Sequence, residues 1–282
     1  CSDSHDLEQA GEINAVVTPA SGPLTAQAQD GVEIAATVHA AGDPTLVLVH
    51  GWMCDQTYWD RQVPALSEHF GVVSVDLPGH GLSGTQRTAW SSAAFGGDVA
   101  TVIKQLDLEK VIVVGHSMGG RVALEAARLL PDVVIGIIGV DTLQDADAVL
   151  DPGEADALIV AFTQDFGATC DAFVRSMFVE NSADALVEPV VTDMCSGPAE
   201  ISVALLRDYI KYDVAAAMRS ADVPVHVINA DKWPTNVEAN RKYADFDAVI
   251  LEGYGHFLMQ EAPQELNKAL IESAFEISGG GR

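Results

Sequence analysis

Apolar residues arrive along this chain in short unbroken runs: Leu46-Val47-Leu48-Val49, Val72-Val73-Ser74-Val75, Val111-Ile112-Val113-Val114, Val133 to Val140, Val225-His226-Val227-Ile228 and Ala248-Val249-Ile250-Leu251. Runs this short and this rich in β-branched residues read as strands, and the lack of polar alternation means that both faces are covered. Segments with helical spacing separate them, among them Arg121 to Leu130. The alternation predicts an α/β fold, a mostly parallel central sheet with helices on both faces. Ahead of it, Thr25 to Gln29 and Val32 to Ala40 flank Asp30-Gly31, a hairpin turn signal, and predict an antiparallel lead-in to the sheet.

The rhythm breaks once, between Asp141 and about Asp222. That interval holds helix-like segments at Glu154 to Phe162, Cys170 to Phe178 and Glu200 to Met218, with no comparably strong strand. It is expected to be a helical cap, residues 142–222, inserted after the sixth strand of a core made of residues 24–141 and 223–282. Residues 1–23 lack periodicity and end in Pro19-Ala20-Ser21-Gly22-Pro23, which predicts a flexible N-terminal tether.

Composition narrows the function classes. With 15 basic and 41 acidic residues the chain of 282 carries a formal charge of −26, so the cationic surface that nucleic acid requires is missing. Val133 to Val140, the longest apolar run, is far below the ~20 residues of a transmembrane helix. A hydrophobic fraction of 48% excludes a disordered chain. The sequence begins Cys1-Ser2-Asp3-Ser4-His5-Asp6, which resembles the mature end of a bacterial lipoprotein. That resemblance implies a lipid on Cys1 and an extracytoplasmic location, in the periplasm or at the outer membrane; an arbitrary chain boundary explains the same residues equally well. In an oxidising compartment Cys170 and Cys195 would pair, whereas two buried free thiols are the other reading.

Candidate chemistry sits at the strand ends. Gly115-His116-Ser117-Met118-Gly119 follows the Val111 strand and precedes a helix, giving G-x-S-x-G in the strand–turn–helix setting of a nucleophile elbow. On these residues the chain, from about Leu24 to Phe275, resembles the α/β-hydrolase fold enzymes. The resemblance implies Ser117 as nucleophile and His256, in Gly253-Tyr254-Gly255-His256-Phe257 after the last strand, as general base. It implies an oxyanion hole built from the backbone N–H groups of Trp52, in His50-Gly51-Trp52, and of Met118. Asp76-Leu77-Pro78-Gly79-His80-Gly81-Leu82-Ser83 matches a family loop read as structural. Serine at the elbow excludes the dehalogenases and epoxide hydrolases of similar fold, which use aspartate there.

The acid that orients His256 departs from the commonest family pattern, because Trp233 occupies its usual place before Pro234. Asp141, emerging directly from the sixth strand beside that of Ser117, is favoured; Asp231 is the alternative. Neither H-E-x-x-H nor C-x-x-C spacing occurs, nor a nucleotide-binding glycine motif, so neither a metal nor a cofactor is expected. The remaining histidines have structural readings: His50 supports the oxyanion loop, and the His116 side chain points away from Ser117. The expected activity is hydrolysis of a small-molecule carboxylic ester through an acyl-enzyme. Other acyl-transfer or carbon–carbon hydrolysis on the same fold, and a non-catalytic receptor retaining the pocket, are the alternatives. Phe162, Phe166, Phe173, Met177 and Phe178 in the cap either supply apolar surface above Ser117 or form the cap's own small core.

Overall fold

The structure is a computed structural model that describes residues 21–279. The proposed lipid site at Cys1 and the first 20 residues of the expected tether lie outside the described residues. The last tether residues do not stay free: Gly22 and Pro23 open β1 (Gly22–Gln27), paired with Val38 and Thr37 of β2 (Glu33–Ala40). The other strands are β3 (Thr45–Val49), β4 (Gly71–Val75), β5 (Val111–His116), β6 (Val134–Val140), β7 (Val225–Ala230) and β8 (Phe246–Leu251). They form one eight-stranded sheet in the order β1-β2-β4-β3-β5-β6-β7-β8. β1 and β2 run antiparallel and β3 to β8 parallel, as the hairpin signal and the apolar runs predict.

β3, β4 and β5 are buried along their whole length. Helices α1 (Val63–Ser67), α2 (Ser92–Gln105) and α3 (Met118–Leu129) connect the first parallel strands, and α9 (Val237–Asn240), α10 (Leu258–Glu261) and α11 (Pro263–Ile277) complete the covering. Among the parallel strands β8 is the exception to two-sided burial. It closes the sheet as an edge strand, so Val249 and Ile250 are each 42% exposed despite a sequence as apolar as the central strands.

Five helices lie between β6 and β7: α4 (Pro152–Gln164), α5 (Phe166–Ser176), α6 (Asp184–Met194), α7 (Ala199–Lys211) and α8 (Val214–Ala221). Sequence pattern predicts three. α6 is unannounced because Pro189 stands inside it and polar residues interrupt its apolar positions. The long segment predicted over Glu200 to Met218 divides at Tyr212, whose backbone is extended, and restarts where the Asp213 carboxylate accepts the Ala216 N–H. Cys170 on α5 and Cys195 just beyond α6 form a disulfide, which selects between the two cysteine readings.

Candidate active site

Ser117 joins β5 to α3 in a left-handed conformation, φ 53° and ψ −116°, a region costly for any residue with a Cβ. The flanking glycines make the turn possible. A Cβ on Gly115 would stand 2.2 Å from the Gly119 carbonyl oxygen, and one on Gly119 would stand 2.6 Å from that of Val49. The turn is held by the Ser117 N–H donating to Val140 O at 3.0 Å and by the Thr142 hydroxyl donating to Ser117 O at 2.7 Å. Met118 opens α3, so its N–H has no acceptor within the helix.

Trp52, three residues beyond β3, is buried; its indole N–H donates to Ser202 O at 3.0 Å and its ring meets Phe162 and Phe173 edge-on. His50 fixes this loop, its Nδ1–H donating to Gly51 O at 2.8 Å and its Nε2 accepting the Leu77 N–H at 3.0 Å. Burial pushes the His50 imidazole down to about 4, which keeps it neutral and suited to both bonds. His80 is likewise pushed down to about 3 by burial, and its Nδ1–H donates to Pro78 O, a structural role as expected.

Asp141 follows β6 with φ 44° and is 1% exposed. Its Oδ2 lies 2.5 Å from His256 Nδ1, while its Oδ1 accepts the Ala230 N–H at 2.9 Å. The structure therefore brings Asp141 and His256 together. Asp231 is elsewhere: it is exposed, and its Oδ1 accepts the Gly253 N–H at 2.8 Å, bracing the turn ahead of His256. Ser117 and His256 face one cavity, with no hydrogen bond between hydroxyl and imidazole among the described residues. Such contacts are commonly long until a substrate is in place.

Three supports of His256 had no sequence motif. The His116 side chain donates through Nε2 to His256 O at 3.0 Å, engaging the neighbouring loop. The carbonyl of Met177, at the end of α5, accepts the His256 N–H at 3.0 Å. Glu261 accepts from Gly255 and Phe257, one residue on each side.

The cavity has a volume of about 540 Å³ and is also lined by Trp52, Met118 and Asp141. Its wall is mainly apolar, with Leu158 from α4, Phe173 from α5, Leu205 and Leu206 from α7, and Trp233 after β7. Of the five apolar residues considered for this role, Phe173 and Met177 line it. Phe162 packs behind, against Phe166 and Phe173, and Phe178 stacks on Phe257. Both expectations for that group hold, each for part of it. The nearby cation Lys232 is engaged with the Phe178 carbonyl at 3.0 Å.

A strained serine at a strand–helix elbow, sharing a cavity with a histidine bonded to a buried aspartate, is the arrangement of a hydrolase of the doubly covered parallel-sheet class. The model of the alpha/beta hydrolase family matches residues 46–269, and the chain belongs to that family. It is 24% identical over 242 residues to the 2-(acetamidomethylene)succinate hydrolase of Mesorhizobium japonicum, covering 80% of this chain and 86% of that protein. A thermophilic esterase from Thermogutta terrifontis superposes with a TM-score of 0.78 at 22% identity, covering 91% of this chain and 99% of the esterase. The enol-lactonase from Burkholderia xenovorans superposes at 0.77 with 20% identity, covering 88% and 98%. At these identities the superpositions establish the fold.

Proposed function

We propose that the protein is a serine hydrolase that cleaves carboxylic esters of uncharged small molecules through an acyl-enzyme, with residues 142–222 as its cap. The observation that carries the reading is the buried Asp141–His256 contact opening onto the cavity that Ser117 also faces. In this mechanism His256 Nε2 takes the Ser117 proton as Oγ bonds to the ester carbonyl carbon. The backbone N–H groups of Trp52 and Met118 stabilise the resulting oxyanion. Collapse breaks the carbon–oxygen bond to the alcohol, which leaves with the proton held by His256. Water then attacks the acyl-enzyme, delivers a proton to His256, and releases the acid and the Ser117 hydroxyl. Asp141 fixes the imidazole with Nδ1 protonated and stabilises its charged form.

The mainly apolar wall supports an apolar acyl or alcohol arm, since covering it removes mostly apolar surface from water. The Cys170–Cys195 disulfide supports an extracytoplasmic location, because such bonds persist in oxidising compartments. The test is hydrolysis of p-nitrophenyl butyrate by wild type and Ser117→Ala. The reading expects turnover that falls by roughly 10⁵ to 10⁶ in the variant. Turnover independent of Ser117, or none with any ester, rejects it. An acetamido compound and a carbon–carbon substrate run alongside distinguish the ester reading from other hydrolysis on this fold.

A further inference from the structure

Backbone around a catalytic histidine must be as well fixed as its ring, because displacement of the base by about 1 Å can cost 10²-fold in rate. Around His256 the fixing is unusually complete. The His256 N–H goes to Met177 O and its carbonyl accepts from His116 Nε2, each at 3.0 Å. The two neighbouring N–H groups converge on a single carboxylate, Glu261, with Gly255 N to Oε2 and Phe257 N to Oε1, both 2.9 Å. Space is equally restricted. A Cβ on Gly255 would stand 2.6 Å from the Met177 carbonyl oxygen and 2.9 Å from Glu261 Oε1.

We propose that Glu261 is a positioning residue, whose two carboxylate oxygens clamp residues 255 and 257 and so hold His256 in register with Asp141 and Ser117. The proposal rests on the reading of His256 as general base. Only a carboxylate meets this geometry in full, since two donors from separate residues need two acceptors on one planar group. The bond to Phe257 alone would be an ordinary cap on the short helix α10, which Phe257 precedes. The bond to Gly255 is different: it reaches past the helix to the far side of His256 and closes a loop around it. Glu261 is partly buried, and burial raises its carboxyl above the usual range, an effect these two N–H groups only partly counter.

The experiment compares Glu261→Ala and Glu261→Gln with wild type by ester kinetics, thermal melting and proton NMR of the far-downfield Nδ1–H shared by His256 and Asp141. Glu261→Gln keeps the side-chain volume but one acceptor, which protects the test against simple misfolding. The expected result is a fall in kcat of roughly 10- to 100-fold in Glu261→Ala and a smaller fall in Glu261→Gln. KM should stay within about threefold in both, because substrate meets the cavity wall and not Glu261. The downfield proton should be sharp in wild type and broadened or lost in Glu261→Ala. A role confined to capping α10 would lower the melting temperature while leaving kcat of the folded enzyme and the proton signal unchanged, and that result overturns the proposal. If no ester is turned over, the ester reading fails separately, and the NMR comparison still decides whether Glu261 holds His256 against Asp141.

Discussion

Asp141→Asn is the sharpest single test of the site, because the two oxygens of Asp141 do different work. Oδ1 accepts the Ala230 N–H at 2.9 Å, and Oδ2 accepts the His256 Nδ1–H at 2.5 Å. Asparagine can keep the first bond with its carbonyl oxygen, which turns its NH₂ toward His256. A donor now faces Nδ1, so the ring adopts the opposite tautomer, with its proton on Nε2. That nitrogen cannot then accept the Ser117 proton. The loss combines the wrong tautomer with the missing charge opposite the imidazolium, and in a triad of this kind it amounts to roughly 10⁴ in kcat, or about 5 kcal/mol of barrier. Fold should be retained, since the two side chains have nearly equal volume and the Ala230 bond survives. The assay is kcat and KM for p-nitrophenyl butyrate with circular dichroism as the folding control, beside Asp231→Asn, whose oxygen can still brace Gly253. Asp231→Asn should remain within a few-fold of wild type. A folded Asp141→Asn protein losing less than tenfold, or losing less than Asp231→Asn, would refute the assignment of the acid.

The apolar cavity predicts that p-nitrophenyl octanoate is preferred over the half-ester of suberic acid, its carboxylate-tipped counterpart, by about 100-fold or more in kcat/KM, since an unpaired carboxylate is costly to bury; comparable rates would contradict the uncharged-substrate reading. Reduction of the Cys170–Cys195 disulfide frees a 25-residue separation between α5 and the end of α6 and should lower stability by about 3 kcal/mol in urea titrations with and without dithiothreitol, whereas superimposable curves would deny it a stabilising role. His50, pushed down to about 4 in the folded chain from an ordinary 6.5, stays neutral when folded and takes a proton on unfolding. The unfolded state thus binds more protons between those values, and stability should fall as pH drops through that window, by about 3 kcal/mol from His50 alone. Denaturation curves at pH 7 and pH 5 check it, and equal midpoints would be incompatible with a buried neutral His50.

Legibility in the sequence follows physical distinctness. Buried parallel strands announce themselves because both faces must be apolar, and each predicted run coincides with a strand. The same argument misleads at β8, where the apolar run Ala248 to Leu251 sits on an exposed edge, since neighbour order is not written in a strand's own residues. Ser117 is legible because its turn demands glycines at fixed offsets. Asp141 is legible as a position at the end of β6, yet its choice over Asp231 depends on which loop turns inward, and only the fold shows Asp231 occupied with Gly253. α6 is hidden because Pro189 and polar residues interrupt its apolar spacing, and the break at Tyr212 because the helical pattern runs on across it from α7 into α8. Glu261 and the Met177 carbonyl escape detection for another reason: both act on main-chain N–H groups, which carry no residue identity.

The bond from His256 N–H to the Met177 carbonyl has a consequence for how such an enzyme can acquire new substrates. Two sides of the pocket are not equally free to vary. Leu205 and Leu206 on α7 line the pocket and pack into the core behind it, and no bond ties them to the His256 loop, so conservative exchanges there retune shape one residue at a time. The end of α5 is both pocket wall and seat of the histidine, and Lys232 ties the next carbonyl, that of Phe178, to the loop after β7. Grafting a foreign α5 would import a new specificity together with a displaced base. Directed evolution of this scaffold should therefore accumulate its early gains on α7 and leave residues 177 and 178 in place until compensating changes near Gly255 have arisen.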